Sequence, residues 1–331
     1  MSTLSLSSHP SPLGTLSLSH VALDRGCERR GRSGWLDSIR LLENTRVLLI
    51  DGDAAPVRDD SLVLLTPPEV AALFDGHSFQ SRAEIYLGRT LGHGCREAGL
   101  EVVLAVLPVG LRPALGSEAE EADVVWSGLR QGAHVLDASD AALLVEAVAV
   151  ANWHATHTHC PRCGTATAVE GSGWVRRCPQ DNSQHFPRTD PAIIVTVVDE
   201  KDRLLLGSGT NWPEGRYSTL AGFVEPGESL EAAVIREIEE ESGVLVHSPQ
   251  YLGSQPWPFP NSLMLGFTAT ATSTSTKADG VEIRDVRWFT REELAADLRT
   301  GVIAVAGGVS IARALIEHWF GGPLPEAPAG V

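Results

Sequence analysis

Three glutamates, Glu237, Glu240 and Glu241, stand close together in a stretch that has the makings of a helix. From Ser229 to Ser242 there is no Pro or Gly, and Leu230, Val234, Ile235 and Ile238 recur at helical spacing. Gly227 lies just before this stretch, and Gly243 follows it where a left-handed C-terminal cap is expected. On such a helix Glu237 and Glu241 are four apart and Glu240 is three from Glu237, so all three share one face. Like charges at that spacing repel. Glu240 and Glu241 also fall in the last turn, where the helix dipole disfavours an anion by about 0.3–1 kcal/mol. A bound cation offsets both penalties, and clustered carboxylate oxygens are hard ligands suited to magnesium or manganese. Such ions neutralise a pyrophosphate, orient it and activate water. The plain alternative is a solvated acidic helix face.

The surrounding residues argue against that alternative. The segment GFVEPGESLEAAVIREIEEESGV, residues 222–244, fits the pattern G-x5-E-x7-R-E-U-x-E-E-x-G-U (U apolar) at every specified place. Gly222, Glu228, Arg236 and Gly243 are all in register with the glutamates. Glu228 and Arg236 read as an ion pair that orients the loop and the helix rather than as chemical groups.

A second constellation lies upstream. Cys160 and Cys163 form a C-x2-C pair, followed after fourteen residues by Cys178. Structural zinc takes four ligands in a tetrahedron, commonly from two such knuckles at about this separation. The second knuckle has Asp181 where its other cysteine would stand. On spacing Asp181 ranks first as the fourth ligand, then His185, with His159 and His157 also nearby. The alternative is a ribbon that has lost its metal and survives by packing. Cys27 and Cys95 are isolated and read as structural or incidental.

The 331 residues suffice for two domains and a sizeable core. No apolar run approaches the roughly 18 residues of a membrane span. The first fifteen residues carry no Lys or Arg and no apolar core, so they read as a Ser-rich tail, or as a start placed too far upstream, rather than a signal peptide. The expected location is the cytoplasm, and with no secretory signal the cysteines favour metal over disulfides. A formal charge of −16 argues against a nonspecific nucleic-acid binder. It leaves open recognition of a nucleotide or an RNA end in one pocket.

The expected organisation is a flexible tail over 1–35, an α/β domain over 36–138, a helix with the cysteine segment over 139–188, a catalytic domain over 189–320 and a flexible tail over 321–331. Arg46–Asp51, Ala83–Leu87 and Glu101–Leu107 are short runs rich in Val, Ile and Leu and predict strands. This amino-terminal region carries no catalytic constellation. A helix is predicted from Ser139. Strands are predicted at Ala192–Val198, Arg203–Leu206, Leu263–Ala271 and Asp285–Phe289, with a strand and loop at Tyr217–Val224 entering the glutamate segment. Helices are predicted at Arg291–Arg299 and Val309–Trp319. Past that segment comes Ser254-Gln255-Pro256-Trp257-Pro258-Phe259-Pro260-Asn261-Ser262, whose prolines make a stiff extended stretch. By composition alone its aromatics read as core.

The pattern over 222–244 is the Nudix box, and the chain resembles the Nudix hydrolases, which cleave pyrophosphates carried on a nucleoside. SQPWPFPxS after such a box resembles the signature of the NADH pyrophosphatase subfamily, whose bacterial members also remove NAD caps from RNA. The likeness runs from about Ser139 to Trp319 and includes Trp153-His154 before the zinc ribbon; Asp181 is the main departure from it. The resemblance implies an α/β class, with a Nudix α/β/α sandwich around a mixed sheet, preceded by a zinc-ribbon segment and an amino-terminal α/β domain. It implies that Glu237, Glu240 and Glu241 hold magnesium or manganese, one of them serving as base, and that Glu282 is a further metal ligand. It implies one structural zinc per subunit. Phe223 matches a residue that stacks on nicotinamide, and Trp257 its aromatic partner, contributed across a homodimer interface. Gln255 and Ser262 match polar contacts to the dinucleotide, Phe186 and Ile194 match pocket walls, and Ala312 matches a backbone contact. The implied reaction splits NAD(H) into nicotinamide mononucleotide and AMP and leaves a 5′-monophosphate on a decapped RNA. The other readings are a Nudix enzyme for a different nucleoside diphosphate derivative and a module that binds nucleotides or RNA ends without cleaving them.

Overall fold

The computed structural model describes residues 11–74, 83–92, 94, 96–113, 115 and 124–326. Cys95 and the last five residues of the expected carboxy-terminal tail lie outside these. The chain forms two compact units. One comprises the segment ending at Ser19, Asp190–Pro256 and the chain from Ser262 on; the other comprises His20–Thr189 and Trp257–Asn261. Among the described residues no helix is long and apolar enough to cross a membrane.

The unit starting at His20 contains, in chain order, β1 (Leu23–Asp24), α1 (Cys27–Arg30), α2 (Trp35–Ile39), β2 (Thr45–Ile50), β3 (Ala54–Arg58), β4 (Ser61–Leu62), β5 (Leu64–Leu65), α3 (Pro67–Leu73), β6 (Ala83–Thr90), β7 (Glu101–Val106), β8 (Val125–Gly128), α4 (Leu129–Gly132), α5 (Ala138–Thr156), β9 (Ala168–Glu170), β10 (Val175–Arg177) and β11 (Gln184–His185). Its main sheet has the order β1-β6-β7-β2-β5, with β2 and β7 parallel. Helix α5 starts at Asp137, whose carboxylate accepts the Asp140 N–H, and is buried almost all round from Ser139 to Val150. A helix covered on most sides belongs in a core, and even its Asp140 and Glu146 are buried. Strands β9 to β11 form a small sheet, with Cys160 and Cys163 before it in the chain and Cys178 directly after β10.

The second unit contains β12 (Asp190–Val198), β13 (Leu204–Gly209), β14 (Leu220–Phe223), α6 (Leu230–Ser242), β15 (Val246–Trp257), β16 (Ser262–Ala271), β17 (Ile283–Phe289), α7 (Arg291–Thr300) and α8 (Ile311–Phe320). Six strands make one mixed sheet, ordered β15-β16-β12-β13-β17 with β14 also on β12. Strand β12 runs parallel to β16, from Asp190↔Ser262 to Val198↔Thr270, and antiparallel to β14. Ala192–Val197 is buried without a break because both faces of β12 are covered. Ile193, Val195 and Val197 point to one face and pack with Leu220, Phe267, Val234 and Ile238 under α6. Ile194 points to the other, among Leu252, Ile311, Ala312 and Leu315. Leu294 and Leu298 of α7 and Ile316 and Trp319 of α8 close a neighbouring cluster over Leu204, Leu206 and Phe289. These layers form the sandwich that the resemblance implies.

The structure departs from the sequence reading at both expected tails and at the proline segment. Among the described residues before position 35, Leu16 and Leu18 are buried, and Leu16 joins the cluster around Ile194. Ser11 Oγ donates to the Leu252 carbonyl at 2.5 Å, and Ser19 Oγ to that of Ser254 at 2.9 Å. Serine-rich composition suggested a solvated tail, yet here alternate leucines bury while serine hydroxyls satisfy strand carbonyls. At the other end Leu324 is buried beside Trp319, and its N–H donates to Glu317 Oε1 at 3.2 Å. The stiff stretch from Ser254 ends the twelve-residue strand β15 at Trp257 and then turns over 258–261 into β16 rather than staying extended. Leu16→Ala should therefore cost about 2–5 kcal/mol, the range for a buried leucine; urea denaturation checks this, and a loose tail would show no change.

Candidate active site

Helix α6 is built as its sequence suggests. Ser229 caps its start by accepting the Ala232 N–H at 3.2 Å, and Gly243 ends it in the left-handed conformation at φ 68°. The glutamates therefore stand at the carboxy-terminal end, where the backbone offers anions nothing. Arg236 gathers the anions around it. It donates to Glu228 through Nη2 at 2.5 Å and Nε at 3.1 Å, to Glu237 at 2.8 Å, to Glu240 at 3.1 Å and to the Phe223 carbonyl at 3.0 Å. Glu228 in turn accepts the Glu225 N–H at 2.7 Å. One guanidinium thus ties the loop, the strand end and the helix together. Gly222 leaves room for the Glu237 carboxyl: a methyl group there would overlap it, and the carboxyl would have to move.

Glu241 has no such cation. Its side chain is buried, and its Oε2 lacks a hydrogen-bond partner among the described residues. Burial first, and then the like charges of Glu237, Glu282 and Asp279, push its carboxyl up to about 8. Burial raises Glu237 as well, against the pull of Arg236. Asp279 is held low by the N–H groups of Ile283, Glu282 and Val281, so it stays anionic beside them. A buried carboxyl with one oxygen unpartnered and three other acids around it fits a divalent cation. Glu241 and Glu282 line a cleft of about 380 Å³ with Thr219, Leu220 and Ala221 of the β14 segment and with Thr210, Asn211 and Trp212.

In the cysteine segment, one ligand atom each from Cys160, Cys163, Cys178 and Asp181 can be chosen so that all lie within 4.8 Å of one another. Cys163 Sγ is 3.5 Å from Cys178 Sγ, and Cys160 Sγ is 3.6 Å from Asp181 Oδ2. A zinc tetrahedron with Zn–S near 2.3 Å and Zn–O near 2.1 Å has edges of about 3.5–3.8 Å, so the donor set fits the ion. His185 is not part of this cluster; its Nε2 lies 3.2 Å from Ser183 Oγ. Asp181 also accepts from the Ser183 N–H and hydroxyl, at 2.9 and 2.6 Å. Cys27 is a free, exposed thiol.

Comparison with known proteins follows this layout. A NUDIX domain model matches residues 188–304, an NADH pyrophosphatase zinc ribbon domain matches 155–186, and an NADH pyrophosphatase-like rudimentary NUDIX domain matches 37–153. The NAD-capped RNA hydrolase NudC of Mycobacterium bovis is 36% identical over 321 residues, covering 91% of this chain and 94% of the relative. The chain belongs to the Nudix hydrolase family. NAD-capped RNA hydrolase NUDT12 from Homo sapiens and from Macaca fascicularis is 43% identical over 197 residues, covering 56% of this chain. That match spans 43% of NUDT12, so this chain aligns with less than half the length of those relatives.

The remaining residues nominated for this Nudix protein are scattered in role. Phe223 ends β14 and is 56% exposed, free to stack; Phe186 is 59% exposed. Trp257 packs edge-to-face on Phe259 at 5.0 Å, and the Arg130 guanidinium lies 4.0 Å from the Phe259 ring centre. Asn152 Nδ2 donates to the Pro258 carbonyl at 2.8 Å, holding that loop. Gln255 is buried; its Nε2 donates to the Val309 carbonyl at 2.9 Å, while its Oε1 has no partner among the described residues. Ser262 is buried opposite Asp190. Ile194 and Ala312 are not at a surface: they are buried in the cluster that holds Leu16. Sequence reasoning missed Asp279, Thr219 and Trp212, which lie outside the box and the proline motif and carry no periodic signal.

The raised carboxyl of Glu241 has a signed consequence. The folded protein keeps this proton to about pH 8, whereas an unfolded carboxyl releases it near 4.5. Its stability contribution is therefore intact below the lower value and is lost as pH rises towards the upper one. Without divalent ions, the melting temperature should fall between about pH 5 and about pH 8.5. Glu241→Gln should flatten that fall, as calorimetry across the range would show.

Proposed function

We propose that this chain hydrolyses the pyrophosphate bond of NAD(H), giving nicotinamide mononucleotide and AMP. On NAD-capped RNA the same cleavage leaves a 5′-monophosphate end. The observation that carries the reading is Glu241: a buried carboxylate without a counter-cation, crowded by Glu237, Glu282 and Asp279, lining a cleft large enough for part of a nucleotide. Without a cation such a group keeps its proton, and a divalent ion beside it would take the proton's place. The names of the mycobacterial and primate relatives support the choice of NAD caps over other diphosphates.

Magnesium or manganese held by Glu237, Glu240, Glu241 and Glu282 would supply the positive charge that neutralises a diphosphate and acidifies water. Arg236 keeps Glu237 and Glu240 aimed and holds the Phe223 carbonyl, so the stacking residue and the acids move as one piece. The exposed ring of Phe223 would carry the nicotinamide face, with Trp257 supplied by a second copy in a homodimer, and Gln255 and Ser262 giving polar contacts. One stacked base is worth about 1–3 kcal/mol. One of the three box glutamates takes the proton from the attacking water, and the two leaving halves each depart as a monophosphate. Ile194 would back a pocket wall from inside the buried cluster, and Ala312 would offer a backbone contact. Zinc on Cys160, Cys163, Cys178 and Asp181 has no open position in this reading and holds the three short strands together. The cytoplasm is the compartment where both substrates would be met.

With magnesium or manganese, purified protein should split NADH between its phosphates, and Glu241→Gln should cut turnover by at least about 100-fold. Chromatography of the products decides it: intact NADH removes this reading, while faster cleavage of a nucleotide sugar than of NADH replaces its substrate. Binding without any product would leave a recognition module. Elemental analysis of protein purified without added zinc should find one equivalent, lost in Cys160→Ala. Asp181→Ala should weaken zinc retention and His185→Ala should not; the reverse order moves the fourth ligand to His185.

A further inference from the structure

The cleft holding Glu241 has an aromatic wall that the reaction described so far does not use. Trp212 is 37% exposed there, beside Asn211 and Thr219. Its indole is seated rather than loose. A methyl group on Gly209 would meet three atoms of the ring at 3.1–3.3 Å, so the ring lies flat over a glycine that leaves room for it. The Trp212 backbone N–H donates to the Gly209 carbonyl at 3.1 Å, and the Trp212 backbone carbonyl accepts from Arg284 Nη2 at 2.9 Å. The Arg216 guanidinium stands 5.4 Å from the ring centre. Thr219 adds an unspent polar group: it is only 4% exposed, and its hydroxyl has no hydrogen-bond partner among the described residues. A buried hydroxyl left unpaired costs about 1–3 kcal/mol, and one lining a cleft can be satisfied by whatever enters.

Position along β14 gives this wall its meaning. Thr219, Leu220 and Ala221 line the cleft, while Phe223 ends the strand. Four residue steps at about 3.3 Å separate Thr219 from Phe223, roughly 13 Å in all. The box acids lie along this strand, with Glu237 against Gly222 and Glu241 in the cleft. A pyrophosphate carrying a nucleoside on each side has two flat bases to place, and Phe223 can take one.

We propose that the Trp212 wall is a second nucleoside subsite, which takes the purine base of the half that leaves as AMP. Trp212 stacks on the base, and Thr219 and Asn211 hydrogen-bond to its edge or to the ribose. The identity of this ligand rests on the reading of the reaction given above; the existence of the subsite does not. The probes are AMP and nicotinamide mononucleotide, each titrated separately by calorimetry against the full-length protein with magnesium. Trp212→Ala should weaken AMP binding about 5- to 150-fold, the range for one stacked base, and change mononucleotide binding less than about twofold. Trp212→Phe should restore most of the AMP affinity, because a ring returns to the wall, and Phe223→Ala should show the opposite preference. Unchanged AMP affinity in Trp212→Ala overturns the subsite. So does an equal loss for both ligands together with a fall in melting temperature, which would make Trp212 a structural prop. If AMP binding depends on Trp212 in a protein that leaves NADH intact, the subsite stands and the reaction reading falls.

Discussion

A carboxylate that has lost water and found no cation organises this protein's catalytic unit. Glu241 is buried in the last turn of α6, where the helix dipole opposes its charge, and three further acids face it. Nothing in that arrangement favours folding. It persists because the surrounding structure holds it: the cap at Ser229, the left-handed Gly243, and the packing of Val234 and Ile238 on Ile193, Val195 and Phe267. Core burial of that kind is worth about 1.5–3 kcal/mol per large side chain, enough in sum to outweigh several units of pKa displacement. Apolar contacts on one face of α6 thus stabilise a helix whose other face carries crowded acids.

Arg236 divides those acids into two classes. Glu228, Glu237 and Glu240 share its guanidinium, whereas Glu241 and Glu282 do not. The first group is oriented without added ions, so the geometry of the loop and the Phe223 carbonyl is set in advance. The second group has no share in that cation, and a divalent ion would supply the positive charge it lacks. Preorganisation and affinity are thereby assigned to different residues of one short helix, which shortens the rearrangement needed when ions and a diphosphate arrive.

Local signals made α6 legible in the sequence. Caps, helical periodicity and the spacing of acids all act within about four residues. The strands β2, β6, β7, β12, β16 and β17 were legible for the same reason, as runs of branched apolar residues. The cysteines and Asp181 were legible as a group because knuckle spacing is also local, and the structure brings their donor atoms together. What escaped was set by contacts distant in sequence. Leu16 and Leu18 look like parts of a serine-rich tail until β15 offers carbonyls for Ser11 and Ser19. Ile194 sits on a strand buried on both faces, and only the register with Ala221 and Gly266 shows that its side chain meets α8 rather than a ligand.

Pleat parity on β14 explains how one short strand can border the acids on one face and present an exposed aromatic ring on the other. Leu220 and Gly222 face α6, and Gly222 has no side chain, so the Glu237 carboxyl occupies the space beside it. Ala221 and Phe223 face the opposite side, Ala221 packed in the cluster with Leu16 and Ile311, and Phe223 beyond that cluster and exposed. A one-residue slip of β14 against β12 would exchange these sets, placing Phe223 against the acids and removing the gap at Gly222. The antiparallel register Ile193↔Gly222 and Ala192↔Phe223 is therefore a condition of the site as much as of the sheet. The long parallel pairing of β12 with β16, which fixes β12 itself, stabilises that register from the other side.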